Sequence, residues 1–349
     1  MHDFKKHLIL QNSTISEALV QLESLSIDAL LFIVDDQNTL KGSLSDGDLR
    51  RGFINGFGMN DPLIKFYQKK TRFIRDDEKD ITKLISFRED NLRVLPILNK
   101  KNRIVNVLNF RLKKSYLPID IVIMAGGKGT RLKPLTDNTP KPLLKVGDKS
   151  IMEHNIDRLT LFGVDDFWIS VKYLGNQIVD YFGDGKKKNI SIDYVWEDEP
   201  LGTIGAVSKI NNFKHEHLLV TNSDILTNLD YEAFYLDFIN QDADFAIVSI
   251  PYNVSIPYAV LETSEGHVLD FKEKPTYTYF SNGGIYLMKN TVLDYIPKET
   301  HFNATDLIEK LILEKKKVIS YPHEGYWLDI GNHVDFEKAQ KNIVQINWN

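Results

Sequence analysis

The chain has 349 residues, enough for about two domains at roughly 150 residues each. Hydrophobic residues make up 42% of it and charged residues 26%, the balance of a globular protein that buries a sizeable core, which sets disorder aside. Net charge is -5, from 43 basic and 48 acidic residues, so composition gives no support for non-specific binding to nucleic acid or anionic membranes.

Cysteine is absent, which removes disulfides, thiolate zinc sites, iron–sulfur clusters and cysteine nucleophiles at once. The segment Met1-His2-Asp3-Phe4-Lys5-Lys6 lacks the apolar stretch of a signal peptide. The longest clear apolar run, Ala29 to Val34, is far short of the ~20 residues that span a bilayer. The expectation is a soluble, cytoplasmic protein of two domains.

The first third carries a weak internal repeat. Leu31-Phe32-Ile33-Val34-Asp35 and Leu95-Pro96-Ile97-Leu98-Asn99 both read as buried strands, offset by 64 residues, and the same offset pairs Gly42 with Asn106. A helix precedes the first strand: Ile15, Ala18, Leu19, Leu22 and Leu25 share one face, and Thr14 with Glu17 fits a capping box. Ile81, Leu84 and Ile85 play that part in the second copy. Neither unit buries its sheet alone, so the two are expected to pack together.

Gly42-Ser43-Leu44-Ser45-Asp46-Gly47-Asp48-Leu49-Arg50-Arg51, closing the first copy, resembles a cystathionine-beta-synthase (CBS) domain pair, a module that often binds adenine nucleotides. The resemblance implies an α+β pair over residues 1–117, in which Ser45 contacts phosphate and Asp48 holds ribose hydroxyls. Asn109 and Leu112 stand at those positions in the second copy, so one site of two looks lost. A purely structural or dimer-forming pair is the plain alternative.

Lys113-Lys114-Ser115-Tyr116-Leu117-Pro118 is polar, breaks the periodicity and ends in proline, which places the boundary there and a second domain at 118–349. Beyond it strands and helices alternate. Ile119 to Met124, Phe167 to Val171, Leu218 to Thr221 and Phe245 to Ile250 read as strands. Ile151, Asn155, Ile156, Leu159 and Phe162 mark a helix, and Gln177 to Phe182 another. This alternation predicts an α/β domain with a mainly parallel sheet covered on both faces.

A glycine loop follows the first of these strands: Met124-Ala125-Gly126-Gly127-Lys128-Gly129-Thr130-Arg131-Leu132. Glycines after a buried strand let backbone N–H groups approach an anion. No G-x-x-x-x-G-K-[ST] string occurs, and a G-x-G-x-x-G started at Gly127 reaches Leu132 at its last position, so both common dinucleotide loops fail. Thr130, Arg131 and then Lys141 argue against a mere tight turn.

The segment through Thr136, with Lys141-Pro142, resembles the signature of sugar-phosphate nucleotidyltransferases, and the resemblance runs in order through about residues 119–340. Glu197-Asp198-Glu199-Pro200-Leu201-Gly202-Thr203 is similar to the family's base-binding segment. Asn222-Ser223-Asp224 is similar to its metal segment, although glycine is usual where Ser223 stands. Glu273-Lys274-Pro275 and Asn282-Gly283-Gly284-Ile285-Tyr286 resemble its sugar-phosphate segments, and Trp327-Leu328-Asp329-Ile330-Gly331 the second metal segment. No hexapeptide β-helix repeat follows residue 340.

The resemblance implies a Rossmann-like mixed sheet and attack by a sugar 1-phosphate on the α-phosphorus of a nucleoside triphosphate, releasing pyrophosphate. Arg131 and Lys141 would act on the triphosphate, with Ala125, Gly126, Gly127, Gly129, Thr130, Glu197 and Gly202 binding the nucleotide. Glu273, Lys274, Asn282 and Gly283 would bind the sugar phosphate, and Asp224 and Asp329 would hold Mg²⁺. Glu197 as an acceptor for guanine N1–H and N2–H predicts GTP; UTP, dTTP or CTP remain alternatives.

The CBS pairing is similar to glucosamine-1-phosphate guanylyltransferases of bacterial legionaminic acid synthesis, which implies that acceptor. A regulatory nucleotide at the CBS pair and a homo-oligomer are also implied. A nucleotide-sensing protein without turnover is the alternative of another class. His215-Glu216-His217 spaces its histidines at i, i+2 with no third ligand evident, so metal binding is not expected there.

Overall fold

In the computed structural model, which describes residues 4–77 and 81–346, the chain divides into two units. One is Met1–Leu117 with Leu161–Gly163; the other is Pro118–Thr160 with Val164–Asn349. No helix among the described residues is long and apolar enough to cross a membrane.

The first unit uses one pattern twice. Its elements are β1 (Leu8–Leu10), α1 (Ile15–Leu25), β2 (Leu30–Val34), β3 (Leu40–Ser45) and α2 (Asp46–Ile54), then β4 (Ile74–Arg75), α3 (Ile81–Glu89), β5 (Val94–Leu98) and β6 (Ile104–Asn109). Each copy is a three-stranded sheet with one parallel and one antiparallel pair. Leu31 faces Leu44 and Leu95 faces Leu108, and the register slips at Ile33/Val34 and again at Ile97/Leu98.

Even the turns correspond. Asp35 Oδ1 accepts the N–H groups of Gln37 and Thr39, and Asn99 Oδ1 accepts those of Lys101 and Arg103. Phe32 and Val34 share one buried cluster with Val94, Leu98 and Ile104, so each sheet covers the other's apolar face. The capping box at Thr14 and Glu17 is formed.

The copies part company after their third strands. Ser45 caps α2: its hydroxyl accepts the Asp48 N–H at 3.3 Å and donates to Asp48 Oδ2 at 2.6 Å. That oxygen also accepts the Ser45 N–H, while Asp48 Oδ1 accepts from Arg51 at 2.5 Å and Gln68 at 2.9 Å. Burial raises the Asp48 pKa, but these bonds outweigh it and hold the carboxyl below its usual range. A ribose at Asp48 would have to displace bonds already made.

No helix follows β6. Asn109, at the position of Ser45, instead donates to Asp28 at 2.7 Å and accepts the Arg111 N–H at 2.9 Å. Arg111 pairs with Asp28 through Nε and Nη2, which holds that buried carboxyl below its usual range.

The second unit runs β7 (Ile119–Met124), a small hairpin of β8 (Lys145–Val146) and β9 (Lys149–Ser150), α4 (Ile151–Leu161), β10 (Asp166–Val171), α5 (Gly175–Phe182), β11 (Ser191–Trp196), β12 (His217–Asn222) and β13 (Ile225–Thr227). It continues through α6 (Tyr231–Asn240), β14 (Phe245–Ser255), β15 (Val260–Ser264), β16 (His267–Lys272), β17 (Thr276–Lys289), α7 (Ala304–Leu313), β18 (Val318–Pro322), β19 (Trp327–Asp329) and α8 (His333–Asn342).

The main sheet has the order β11-β10-β7-β12-β17-β14-β18. β17 is antiparallel to both neighbours, and every other adjacent pair is parallel. Ile121, Val122 and Ile123 of β7 are fully buried, as a strand covered on both faces requires. The next strand of this sheet in sequence, β10, lies on one side of β7 and β12 on the other, so the loop after β7 sits where strand order reverses. Open α/β sheets form ligand crevices at that place.

β14 and β17 also run on together past the sheet, pairing as far as Ser255 with Thr276, and the β15–β16 hairpin lies between them in sequence. This arm is exposed almost throughout, including Tyr258 and Leu269.

Candidate active site

The site is built on one row of the sheet. Met124 at the end of β7 pairs with Ser170 of β10 and with Asn222 of β12, and Val171 pairs with Trp196 of β11. Backbone bonds carry the ladder one residue further, from Ala125 N to Ser170 O, Glu197 N to Val171 O and Ser223 N to Met124 O. The chain leaves the sheet just beyond, as the glycine loop, as Glu197 and as Ser223-Asp224. A cleft of about 410 Å³ opens there.

Ala125, Gly126, Gly127, Gly129, Thr130 and Arg131 line that cleft together with Lys141, Glu197, Gly202 and Asp224. The glycines are needed for different reasons. A Cβ on Gly126 would lie 2.6 Å from Glu197 Oε1. Gly129 is left-handed, φ 60°, and a Cβ there would press Lys141 Cβ at 3.0 Å. Around Gly127 a Cβ would meet nothing within 4 Å, which leaves its backbone open to a ligand. Gly202 has φ +79° and a Cβ there would lie 2.5 Å from Phe302 O.

Glu197 is nearly buried. The Ser170 hydroxyl donates to its Oε1, and the Leu201 N–H donates to Oε2 at 2.9 Å. Lys172 is used on the backbone beyond it, donating to Asp198 O. The carboxylate is thus fixed by neutral donors rather than neutralised by a cation.

Asp224 and Asp329 come from distant parts of the chain. Antiparallel β13 and β19 pair Ile225 with Asp329, which sets the two carboxyl groups side by side. Lys141, 8% exposed, donates from Nζ to Asp224 Oδ2 and stands 4.0 Å from Asp329 Oδ1. Burial and the Asp224 charge push the Asp329 carboxyl above its usual range, against the pull of Lys141 and Arg131. The Arg131 guanidinium lies 3.4 Å from where a Cβ on Gly331 would stand.

The same pair bears on a metal. Asp224 Oδ1 and Asp329 Oδ1 are both buried without a hydrogen-bond partner among the described residues. Two converging carboxylates with unused oxygens form an all-oxygen donor set of the kind Mg²⁺ takes, which needs only one or two carboxylates beside phosphate and water. Clusters of three or more His, Asp or Glu able to hold a metal do not occur among the described residues.

The sugar-side residues lie elsewhere. Glu273 and Lys274 are exposed between β16 and β17 on the arm, and neither lines the cleft. Asn282 and Gly283 sit where β17 enters the sheet; the Gly283 carbonyl accepts the Trp327 indole N–H at 2.9 Å, which ties β17 to the strand bearing Asp329. Residues assigned no role of their own from the sequence also face the cleft. Thr203 accepts the Ala304 N–H at 2.8 Å, and His301, in the loop before α7, stands at the rim. A lone loop histidine leaves no periodic or spacing signal. Ser170 left one: a polar residue inside the apolar run Phe167 to Val171.

Comparison with known proteins identifies the family. The chain is 30% identical over 228 residues to D-glycero-alpha-D-manno-heptose 1-phosphate guanylyltransferase of Aneurinibacillus thermoaerophilus, covering 64% of this chain and 98% of that protein. It is 29% identical over 236 residues to mannose-1-phosphate guanylyltransferase of Mycobacterium tuberculosis, covering 65% of each. The crystal structure of HddC from Yersinia pseudotuberculosis complexed with GMP-PN superposes with a TM-score of 0.50 at 27% identity, over 64% of this chain and 99% of that one. Residues 120–346 match the family described as Nucleotidyl transferase, and the chain belongs to that family.

Proposed function

We propose that the chain transfers GMP from GTP to a sugar 1-phosphate, with glucosamine 1-phosphate as the acceptor, giving the GDP-sugar and pyrophosphate. An acceptor phosphate oxygen attacks the α-phosphorus, and the bond from that phosphorus to the pyrophosphate oxygen breaks. The attacking oxygen is already ionised at neutral pH, so no protein base is required. Both reactants are polyanions, which leaves charge neutralisation and in-line alignment as the work of the site.

The glycine loop presents backbone N–H groups to the triphosphate, and Arg131 offers it a planar guanidinium fork. Lys141, paired with Asp224, stands where a phosphate between loop and carboxylates would meet it. Asp224 and Asp329 would hold Mg²⁺, which when bound supplies charge neutralisation at the phosphate oxygens. Glu273 and Lys274 serve the sugar phosphate from the arm, and Asn282 and Gly283 from the base of β17.

The observation that carries the guanine reading is Glu197, its two oxygens held by Ser170 and Leu201 against Gly126 in the cleft. Guanine offers adjacent N1–H and N2–H donors, which one carboxylate accepts together. Uracil and thymine set a single N–H between two carbonyl oxygens that a carboxylate repels, at a cost of a few kcal/mol or ~10²-fold. The first unit, in this reading, is a CBS pair acting as regulator or dimer scaffold.

The test is pyrophosphate release across GTP, UTP, dTTP and CTP with a panel of hexose and amino-hexose 1-phosphates. GTP with glucosamine 1-phosphate should lead. Preference for a pyrimidine triphosphate would overturn the base reading, and nucleotide binding without pyrophosphate release would overturn catalysis.

A further inference from the structure

We propose that Ser170 is a positioning residue for base selection, acting through Glu197; this rests on the reading that Glu197 meets the base. Ser170 is fully buried on β10, and its hydroxyl donates to Glu197 Oε1. The other oxygen takes the Leu201 N–H at 2.9 Å. These two bonds have different character. A backbone N–H only donates, so the position of Oε2 must always hold an acceptor. A hydroxyl donates or accepts, so Ser170 governs the other position, the one that lies against Gly126.

The terminal torsion of a glutamate is broad, and one bond leaves the carboxylate plane free to turn about it. Two bonds, one from β10 and one from the loop after β11, fix the plane. Ser170 is set by the sheet itself, since it pairs with Met124, the last residue of β7, from which the glycine loop runs on. The plane of the carboxylate is thereby referred to the same backbone that carries the loop. Recognition of two donors in one plane needs that reference; recognition of one donor does not.

Guanosine and inosine triphosphates separate these cases, because hypoxanthine keeps N1–H and lacks the N2 amino group. In the full-length protein with Mg²⁺, Ser170→Ala should lower kcat/KM for GTP while leaving ITP nearly unchanged, so that the GTP:ITP ratio falls by about 10-fold. Ser170→Thr, which keeps the hydroxyl, should restore the ratio whatever its effect on yield. A wild-type protein that uses GTP and ITP equally overturns the base reading and this proposal with it. Wild-type discrimination that survives unchanged in Ser170→Ala, or an equal loss for both nucleotides, overturns the proposal and leaves Glu197 as the base reader.

Discussion

Each unit contains a serine hydroxyl that donates to a buried carboxylate, and the two carboxylates end up with opposite prospects. In the first unit Asp48 takes the Ser45 hydroxyl and N–H on one oxygen and Arg51 and Gln68 on the other. In the second, Glu197 takes one neutral donor on each oxygen and borders an open cleft. A saturated carboxylate beside an arginine is a structural joint. A carboxylate held by two neutral donors keeps lone pairs and its full charge for a ligand, so counting donors separates the two where sequence context alone does not.

Three substitutions would break or sharpen that contrast, beginning outside it with the largest effect. Asp224→Asn should cut turnover by ~10²-fold or more with the fold intact, since it removes a carboxylate charge from the phosphate site. Turnover near wild type at limiting Mg²⁺ would take Asp224 out of that role. Glu197→Gln should lower the GTP:UTP preference by about 10²-fold. The Leu201 N–H would hold the amide oxygen, so the amide nitrogen turns to Ser170, whose hydroxyl then accepts. The edge left to the base carries one acceptor and one donor, the pattern that uracil complements. An unchanged preference in that variant would return Glu197 to a structural part.

Asp48→Ala should have the smallest effect and of another kind: a loss of ~1–3 kcal/mol in the first unit, with no change in nucleotide preference. Amide exchange in α2 measures it. The Asp48 carboxyl lies below its ordinary value of 3.8, so its contribution is present above that value and is lost as pH falls below it. The difference between variant and wild type should therefore be full at neutral pH and shrink in acid. A difference that grows in acid would contradict the charged joint.

Much of this was legible in the sequence because it depends on local rules. The 64-residue offset predicts two equivalent helix–strand–strand units, and the structure extends the likeness to a shared register slip and shared Asx turns. The capping box at Thr14 needs only its own four residues. The glycine loop announces itself through residues that no ordinary turn requires. What sequence reasoning left unseen is long-range: the antiparallel insertion of β17, the Ser170 bond between neighbouring strands, and the exposed arm on which Glu273 and Lys274 stand outside the lining of the cleft. Ser45 and Asp48 show the converse, since the spacing that suits a ligand also suits a helix cap, and only the partners Arg51 and Gln68 reveal that the cap is made.

The β13–β19 ladder joins residues about a hundred positions apart, and with it the two carboxylates that face Lys141. Contacts of such sequence separation form late, because loop closure must be met before they repay it. In the order of synthesis the glycine loop, Lys141, Glu197 and Asp224 all precede Asp329, so the carboxylate pair is the last part of this cluster to be completed. A chain that stops short of β19 lacks one of the two carboxylates, and under the proposed reading it should release no pyrophosphate.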